Sequence, residues 1–113
     1  MPQATTVVIP KRNKPVEEIY RAVALVTAIE ESVFRSKLRT REVAEARHMS
    51  IYFIMKYNPD FTLVHTGRLF GIDHSTVIWS RSNVENLFKS DRDYREKYLA
   101  IEALLTGKAD HDA

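Results

Sequence analysis

The sequence contains no cysteine and only three glycines and four prolines among its 113 residues. Without cysteine the chain can form neither a disulfide framework nor a thiolate zinc site, so we expect a reducing, cytoplasmic location and no metal. The scarcity of glycine and proline, beside many helix-forming residues, disfavours a β-sandwich and a disordered chain. The length suits a single compact domain and leaves no room for a second, catalytic one.

Long apolar runs are also absent. Near the N-terminus the sequence has only the apolar run 7–9, and three basic residues follow it closely. This pattern predicts neither a signal peptide nor a membrane span, so we expect a soluble protein without a membrane partner. We further expect a flexible basic arm over residues 1–14, a globular domain over residues 15–106 and a polar tail over residues 107–113.

Neither sign of charge is in large excess, because 17 Lys and Arg residues face 15 Asp and Glu residues, a net charge of +2. A net charge this small is a weak argument for a nucleic-acid partner, and the distribution of charge matters more. Residues 35–41 carry Arg35, Lys37, Arg39 and Arg41 and no acidic residue. Such a run is typical either of a solvated loop or of a surface that faces phosphate.

Apolar residues recur at spacings of three and four along the chain, which predicts an all-α fold of about six helices. The first set of such positions, within residues 19–33, is compatible with one helix or with two short consecutive helices. The inward positions are Ile19, Val23, Val26, Ile29 and Val33; then Val43, Ala46, Ser50, Phe53, Ile54 and Tyr57; Leu63, Gly67 and Phe70; Val77, Ser80, Val84, Leu87 and Phe88; and Tyr94, Tyr98, Ile101 and Leu105.

Two of these segments have the form of a helix-turn-helix. A short helix over residues 62–70 is followed by Gly71, which permits a tight turn, and by Asp73, a probable N-cap of the next helix. The outward face of that second helix is uncharged at Ser75 and Trp79. An uncharged face can approach another molecule closely, as the second helix of this motif does in the major groove.

The side chains in the first turn of this helix suit contacts with bases. Asp73 can accept from the amino group of cytosine, and His74 and Ser75 can reach base acceptors or a thymine methyl group. The helix N-terminus with the Thr76 hydroxyl suits a phosphate. The same residues are also compatible with a simple cap, an exposed imidazole and two ordinary helix-start residues, and the residues alone leave both interpretations open.

From about residue 15 to residue 106 the chain resembles the C-terminal DNA-binding domain of the bacterial replication initiator DnaA. The resemblance rests on Gly71 and the run 73–77, which read as the family's Gly-Asp-His-Ser/Thr-Thr-Val signature, preceded by Thr62, Leu63 and Gly67. It also rests on the basic loop 37–43, with residues 45–49 standing where the family usually has a Pro-Arg-Gln-like segment.

The resemblance implies a partner, double-stranded DNA with short sites of the DnaA-box type, and replication proteins as a second class of partner. The helix from Asp73 would lie in the major groove and an arginine of the loop in the minor groove. The implied base contacts are Asp73, His74, Ser75 and Arg39, with Arg41 a close competitor for the minor groove. The implied backbone contacts are Thr76, Arg47, Lys37, Arg41 and Arg35.

The chain departs from the family pattern at several positions. The turn is one residue shorter and lacks an arginine, Val64 replaces a proline, and Trp79 with Ser80 replaces a His-Ala pair. The sequence has no Gly-x-x-x-x-Gly-Lys-Ser/Thr loop, so we expect no nucleotide and no cofactor. Repression of transcription, competition with a full initiator and recruitment of a partner all stay open as roles.

Two other classes of function compete with DNA binding. An enzyme would need its histidines at catalytic or metal-ligand spacing, and none of the four forms such a motif, so we expect no enzyme. A helical protein-interaction module could retain the fold and use Trp79 and Ile78 as anchors. The combination of Arg39 with the intact run 73–76 argues against such a module, which has no need of it.

Overall fold

The computed structural model describes residues 13–107, and the regular secondary structure of this part is entirely helical. The helices are α1 Val16–Thr27, α2 Glu31–Phe34, α3 Arg41–Tyr57, α4 Leu63–Phe70, α5 His74–Ser90 and α6 Arg92–Thr106. This confirms the predicted all-α helix-turn-helix fold of about six helices. Most of the predicted basic arm, residues 1–12, and most of the polar tail, residues 108–113, lie outside the described residues.

The core is built from the inward stripes of the helices around α3, which packs against α1, α2, α4 and α5, while α6 packs on α1 and α5. The four apolar positions predicted for α6 are all buried: Tyr94, Tyr98, Ile101 and Leu105. Tyr98 joins α6 to its neighbours, since its ring centroid lies 4.9 Å from that of Phe53 on α3 and 4.6 Å from that of Phe88 on α5. Aromatic contacts at these distances favour one arrangement of the three helices.

The first apolar stripe is divided between two helices. Ala28 has a φ of 61°, in the left-handed region, and its N–H donates to the Ala24 carbonyl to close α1. The short α2 then begins after Glu30 and buries Phe34. This break decides between the one helix and the two helices that the periodicity left open.

The turn of the helix-turn-helix depends on two glycines. Gly71 ends α4 with a φ of 67°, which a residue without a side chain adopts at little cost. Gly67 lies one turn earlier, and its carbonyl accepts the Ile72 N–H at 3.0 Å. A Cβ atom at Gly67 would press into the Ile72 carbonyl oxygen, so α4 and the turn approach each other as closely as backbones can.

The helices were also compared with the length and hydropathy needed to cross a bilayer. Within residues 13–107, no helix is both long and apolar enough for a membrane span.

Candidate nucleic-acid interface

The N-terminal end of α5 projects from the globule at the point where the turn meets the helix. Val77 and Ser80 are buried against the rest of the fold, whereas His74, Ser75 and Thr76 are exposed. The inward positions predicted for Val77 and Ser80 and the outward position predicted for Ser75 are confirmed. The first turn of α5 therefore presents an imidazole and two hydroxyl groups to solvent, with no acidic side chain other than Asp73.

Asp73 is the N-cap of α5, as the sequence predicted. Its Oδ1 atom accepts the Thr76 N–H at 2.9 Å and the Ser75 hydroxyl at 2.8 Å. The hydrogen bond from the Thr76 N–H, followed by that from Ser75, holds the pKa of Asp73 below its ordinary value. The carboxylate is thus charged at neutral pH, and the bonds from the Thr76 N–H and the Ser75 hydroxyl both fall on Oδ1 rather than Oδ2. A cap of this geometry leaves one oxygen free to accept from a base.

The hydrogen bond from Ser75 also fixes the character of that hydroxyl group. Since the Ser75 hydroxyl hydrogen is directed to Asp73 Oδ1, the oxygen faces outward as an acceptor. Beside it, His74 has no hydrogen-bond or ion-pair partner in the described part of the chain. The two side chains can therefore offer an acceptor and an imidazole to the same partner.

The basic loop, residues 35–40 between α2 and α3, is tied to the turn of the helix-turn-helix. Arg35 donates from Nε and Nη2 to the Leu69 carbonyl at 3.2 and 2.9 Å, and Lys37 donates from Nζ to the Gly71 carbonyl at 2.5 Å. Both acceptors lie at the C-terminal end of α4, where carbonyls lack helical partners and cations are favoured. Hydrogen bonds from two side chains of the loop therefore join it to the turn.

Arg47, on α3, donates hydrogen bonds to the backbone of the same loop. Its Nε donates to the Phe34 carbonyl at 3.0 Å, and its Nη2 donates to the carbonyls of Ser36 at 2.9 Å and Leu38 at 2.5 Å. Burial lowers the pKa of Arg47, but a guanidinium stays charged at neutral pH. Sequence reasoning missed this structural role, while the phosphate contact implied for Arg47 stays a prediction.

The structure separates Arg39 from its competitor Arg41. The Arg41 guanidinium lies 3.2 Å from a carboxylate oxygen of Glu45 and 3.6 Å from one of Asp91. Arg39, by contrast, is exposed and has no hydrogen-bond or ion-pair partner among residues 13–107. Its charge is therefore the one in the loop that is free to meet an external anion.

A groove of about 470 Å³ separates the basic loop from α5, and we call it the loop groove. No acidic side chain lines it, so its electrostatic character is set by cations on one wall and uncharged groups on the other. The lining residues are Ser36, Lys37, Arg39, Ala44, Arg47, His48, Phe70, Ile72, Thr76, Trp79 and Ser80.

One wall of the loop groove is formed by Trp79, whose side chain is 57% exposed. Its ring meets that of His48 edge to face, with centroids 5.1 Å apart, and Asn83 Nδ2 lies 3.3 Å from His48 Nδ1. Burial, reinforced by the charge of Arg47, lowers the pKa of His48 to about 4. His48 is thus a neutral support for the indole, a role that the sequence did not signal.

Metal binding has no support in this region or elsewhere in the described part of the chain. Residues 13–107 contain no group of three His, Asp or Glu side chains that could hold a metal ion.

Comparison with known proteins places this geometry in context. The family described as the bacterial dnaA protein helix-turn-helix matches residues 16–84. The chromosomal replication initiator protein DnaA of Bacteroides thetaiotaomicron is 30% identical over 95 residues, which are 83% of this chain and 20% of that protein. The DnaA protein of Thermodesulfovibrio yellowstonii is 31% identical over 103 residues, 88% of this chain and 23% of that protein.

A third relative shows the same coverage. The DnaA protein of Wolbachia pipientis wMel is 34% identical over 87 residues, which are 76% of this chain and 19% of that protein. The chain thus spans about a fifth of the length of the curated relatives that it matches.

Proposed function

This chain belongs to the bacterial DnaA helix-turn-helix family, and from that premise we propose that it reads short duplex DNA sites of the DnaA-box type. The observation that carries the proposal is that two reading elements meet at the loop groove. Thr76, in the exposed first turn of α5, and Arg39, in the basic loop, both line it. In this arrangement α5 occupies the major groove and Arg39 enters the adjacent minor groove.

Base reading falls to the first turn of α5. The free oxygen of Asp73 accepts from the amino group of cytosine, which with adenine is one of the two bases that offer a donor in the major groove. Ser75 acts as an acceptor, and His74 contacts a base acceptor or a thymine methyl group. Because a carboxylate is repelled by phosphate, Asp73 favours binding only where a base donates to it.

Backbone contacts hold the helix in register. Thr76 at the helix N-terminus is suited to a phosphate. Arg41, which is paired with Glu45 and with Asp91 at the C-terminal end of α5, makes a weaker phosphate contact.

Lys37 keeps its positive charge while donating to a carbonyl, so it still attracts phosphate. Arg35 attracts phosphate more weakly, because Glu31 pairs with it at 2.8 Å. For Arg47 we propose a weaker contribution of the same kind, through the loop that it shapes.

The relatives are named as chromosomal replication initiators. We propose that this chain acts in or on replication initiation as a binding or regulatory factor, in the cytoplasm, with replication proteins as further partners. The region that it shares with these relatives contains no nucleotide-binding loop motif. Its contribution is therefore recognition of DNA rather than catalysis.

A helical protein-interaction module is the second candidate, because two large apolar side chains of α5 are exposed. Trp79 is 57% exposed and Ile78 is 48% exposed. Such residues are typical anchors of a protein interface. A module of this kind would keep the fold without binding DNA.

The decisive experiment is a titration of the full chain against two labelled duplexes, one with a DnaA box and one with the same bases scrambled. Fluorescence anisotropy is measured at several salt concentrations. We expect the DnaA-box duplex to bind about a hundredfold more tightly, which corresponds to the loss of about two base contacts. Equal binding to both duplexes would contradict sequence reading. No binding to either, with the helical circular dichroism spectrum intact, would favour the interaction module.

A further inference from the structure

Trp79 lies on the same face of α5 as the first reading turn. It follows Ser75 by four residues, so the two side chains are neighbours on the helix surface, about 6 Å apart along the axis. The exposed indole gives this face of α5 a large apolar surface with one N–H donor. Its position places it directly beside whatever α5 binds.

The indole is held in place before any ligand arrives. His48, on α3, meets its ring edge to face, and Asn83, one turn further along α5, lies within hydrogen-bond distance of that imidazole. A side chain that is supported on one side loses little conformational freedom when a ligand covers the other. The support therefore favours contact through the exposed part of the indole.

Basic side chains also line the loop groove. Lys37 and Arg39 of the basic loop line the groove together with Thr76 and Trp79 of α5, and no acidic side chain lines the space. An anionic chain with an apolar component would complement this combination of cations, a hydroxyl group and an aromatic surface. The sugar-phosphate strand of DNA has that composition, because deoxyribose is largely apolar and each phosphate carries a negative charge.

The proposed position of the DNA also places one of its strands at the loop groove. If α5 occupies the major groove and Arg39 the adjacent minor groove, one strand must pass between them, since a single strand separates adjacent grooves. We propose that this strand crosses the loop groove and that Trp79 packs against its deoxyribose while the indole N–H donates to a phosphate. This inference rests on the proposed function and adds to it a contact residue that positions the duplex.

A backbone contact carries no direct sequence information, and this gives the assignment a distinct signature. Replacing Trp79 should weaken binding to the DnaA-box duplex and to the scrambled duplex by the same factor. It should also leave the salt dependence unchanged, because an indole displaces no counterion. A residue that reads a base would instead affect the DnaA-box duplex selectively.

The first test uses the fact that Trp79 is the only tryptophan of the chain. Its emission in the full chain is followed with and without a saturating unlabelled DnaA-box duplex, and acrylamide is added as a quencher. We expect the duplex to reduce the quenching constant severalfold. Unchanged quenching at saturation, shown by anisotropy of a labelled duplex, would overturn the inference while leaving the proposed function intact.

The second test compares variants on both duplexes. We expect W79A to weaken binding about tenfold on each and W79F, which keeps an aromatic ring but loses the N–H donor, to weaken it about threefold. The matched control is I78A, which removes an exposed apolar side chain next in sequence but outside the loop groove, and it should bind like the wild type. Circular dichroism checks that each variant is folded.

Three outcomes of the second test would overturn the inference. W79A could bind as tightly as the wild type, or it could lose affinity for the DnaA-box duplex alone, which would make the indole a base reader. If the wild type binds no duplex at all, the proposed function and this inference fail together. Should W79A not fold, the quenching experiment on the wild type still decides.

Discussion

Replacing Arg39 and Arg41 one at a time tests the proposal that Arg39, and not Arg41, enters the minor groove. Arg41 is engaged by Glu45 and Asp91, whereas Arg39 has no such partner in the described part of the chain. Each cation that displaces a counterion from the duplex contributes about 0.9 to the slope of log affinity against log salt. We expect R39A to flatten this slope by nearly that amount and R41A to flatten it clearly less.

The slope converts to a ratio that can be measured directly. When salt rises fourfold, from about 50 to about 200 mM, the advantage of the wild type over R39A should shrink by about 3.5-fold. Anisotropy titrations of both variants on the DnaA-box duplex give this number. R41A serves as the matched control, because it removes the same side chain from a position two residues away.

The DNA can be changed as well as the protein. A narrow, A·T-rich minor groove has an enhanced negative potential that attracts arginine. Replacing the A·T pairs beneath the loop by G·C pairs should therefore weaken the wild type and R41A but have little effect on R39A. If R41A abolishes the salt and A·T dependence and R39A retains both, the assignment of the minor groove to Arg39 is wrong.

Four further predictions concern α5 and its support. Asparagine caps a helix nearly as well as aspartate, so D73N should stay folded. It should bind the DnaA-box duplex about tenfold more weakly than the wild type and the scrambled duplex no more weakly. Unchanged selectivity in the titration would make Asp73 a cap alone. H74A should keep its melting temperature but lose roughly 1 to 3 kcal/mol of discrimination at one base pair, measured with singly substituted duplexes, whereas early unfolding would make the imidazole structural. G67A should lower the free energy of unfolding, measured in urea, by about 1 to 3 kcal/mol, because the new Cβ atom would press on the Ile72 carbonyl. If G67A were as stable as the wild type, the turn would be able to shift away from the added Cβ atom. Burial lowers the pKa of His48 to about 4, so as the pH falls from about 6.5 to 4 the unfolded chain binds a proton before the folded chain does. The free energy of unfolding should therefore drop by about 1 to 2 kcal/mol across this window, after allowance for solvent screening. H48Q should lack that part of the pH dependence.

Local signals in the sequence were sufficient for the helices and for the cap of α5. Spacings of three and four predicted that Tyr94, Tyr98, Ile101 and Leu105 share a buried face, and all four are buried. The cap at Asp73 followed from its position before a periodic segment, and the structure confirms it. Such features depend on neighbouring residues, so a single sequence contains the information needed to find them.

The break between α1 and α2 was harder to predict because alanine rarely adopts a left-handed conformation. Ala28 has a φ of 61°, and no glycine or asparagine stands there to signal it. The periodicity continued through the break, and so the number of helices in this segment stayed open. The surrounding packing, rather than the local preference of the residue, fixes that conformation.

The loop groove depended on contacts between residues distant in sequence. Lys37 meets Gly71 and Asn83 meets His48 across separations of 34 and 35 residues. The bonds from Arg47 to three carbonyls were likewise not predicted, because the chemistry of a guanidinium is the same whether it faces DNA or carbonyls. Charge runs show where cations occur along the chain, but only the fold shows which of them already have partners.

The tie between the basic loop and the turn has a consequence for the kind of duplex that can fit. Because Lys37 and Arg35 fix the loop to the end of α4, the span between Arg39 and α5 is set before any DNA is met. Arg39 and α5 therefore meet a duplex together, as two elements joined through the turn. A B-form duplex presents a wide major groove to α5 and a narrow minor groove to Arg39. An A-form RNA duplex has a deep, narrow major groove and a broad, shallow minor groove, so we expect it to fit this pair of elements less well.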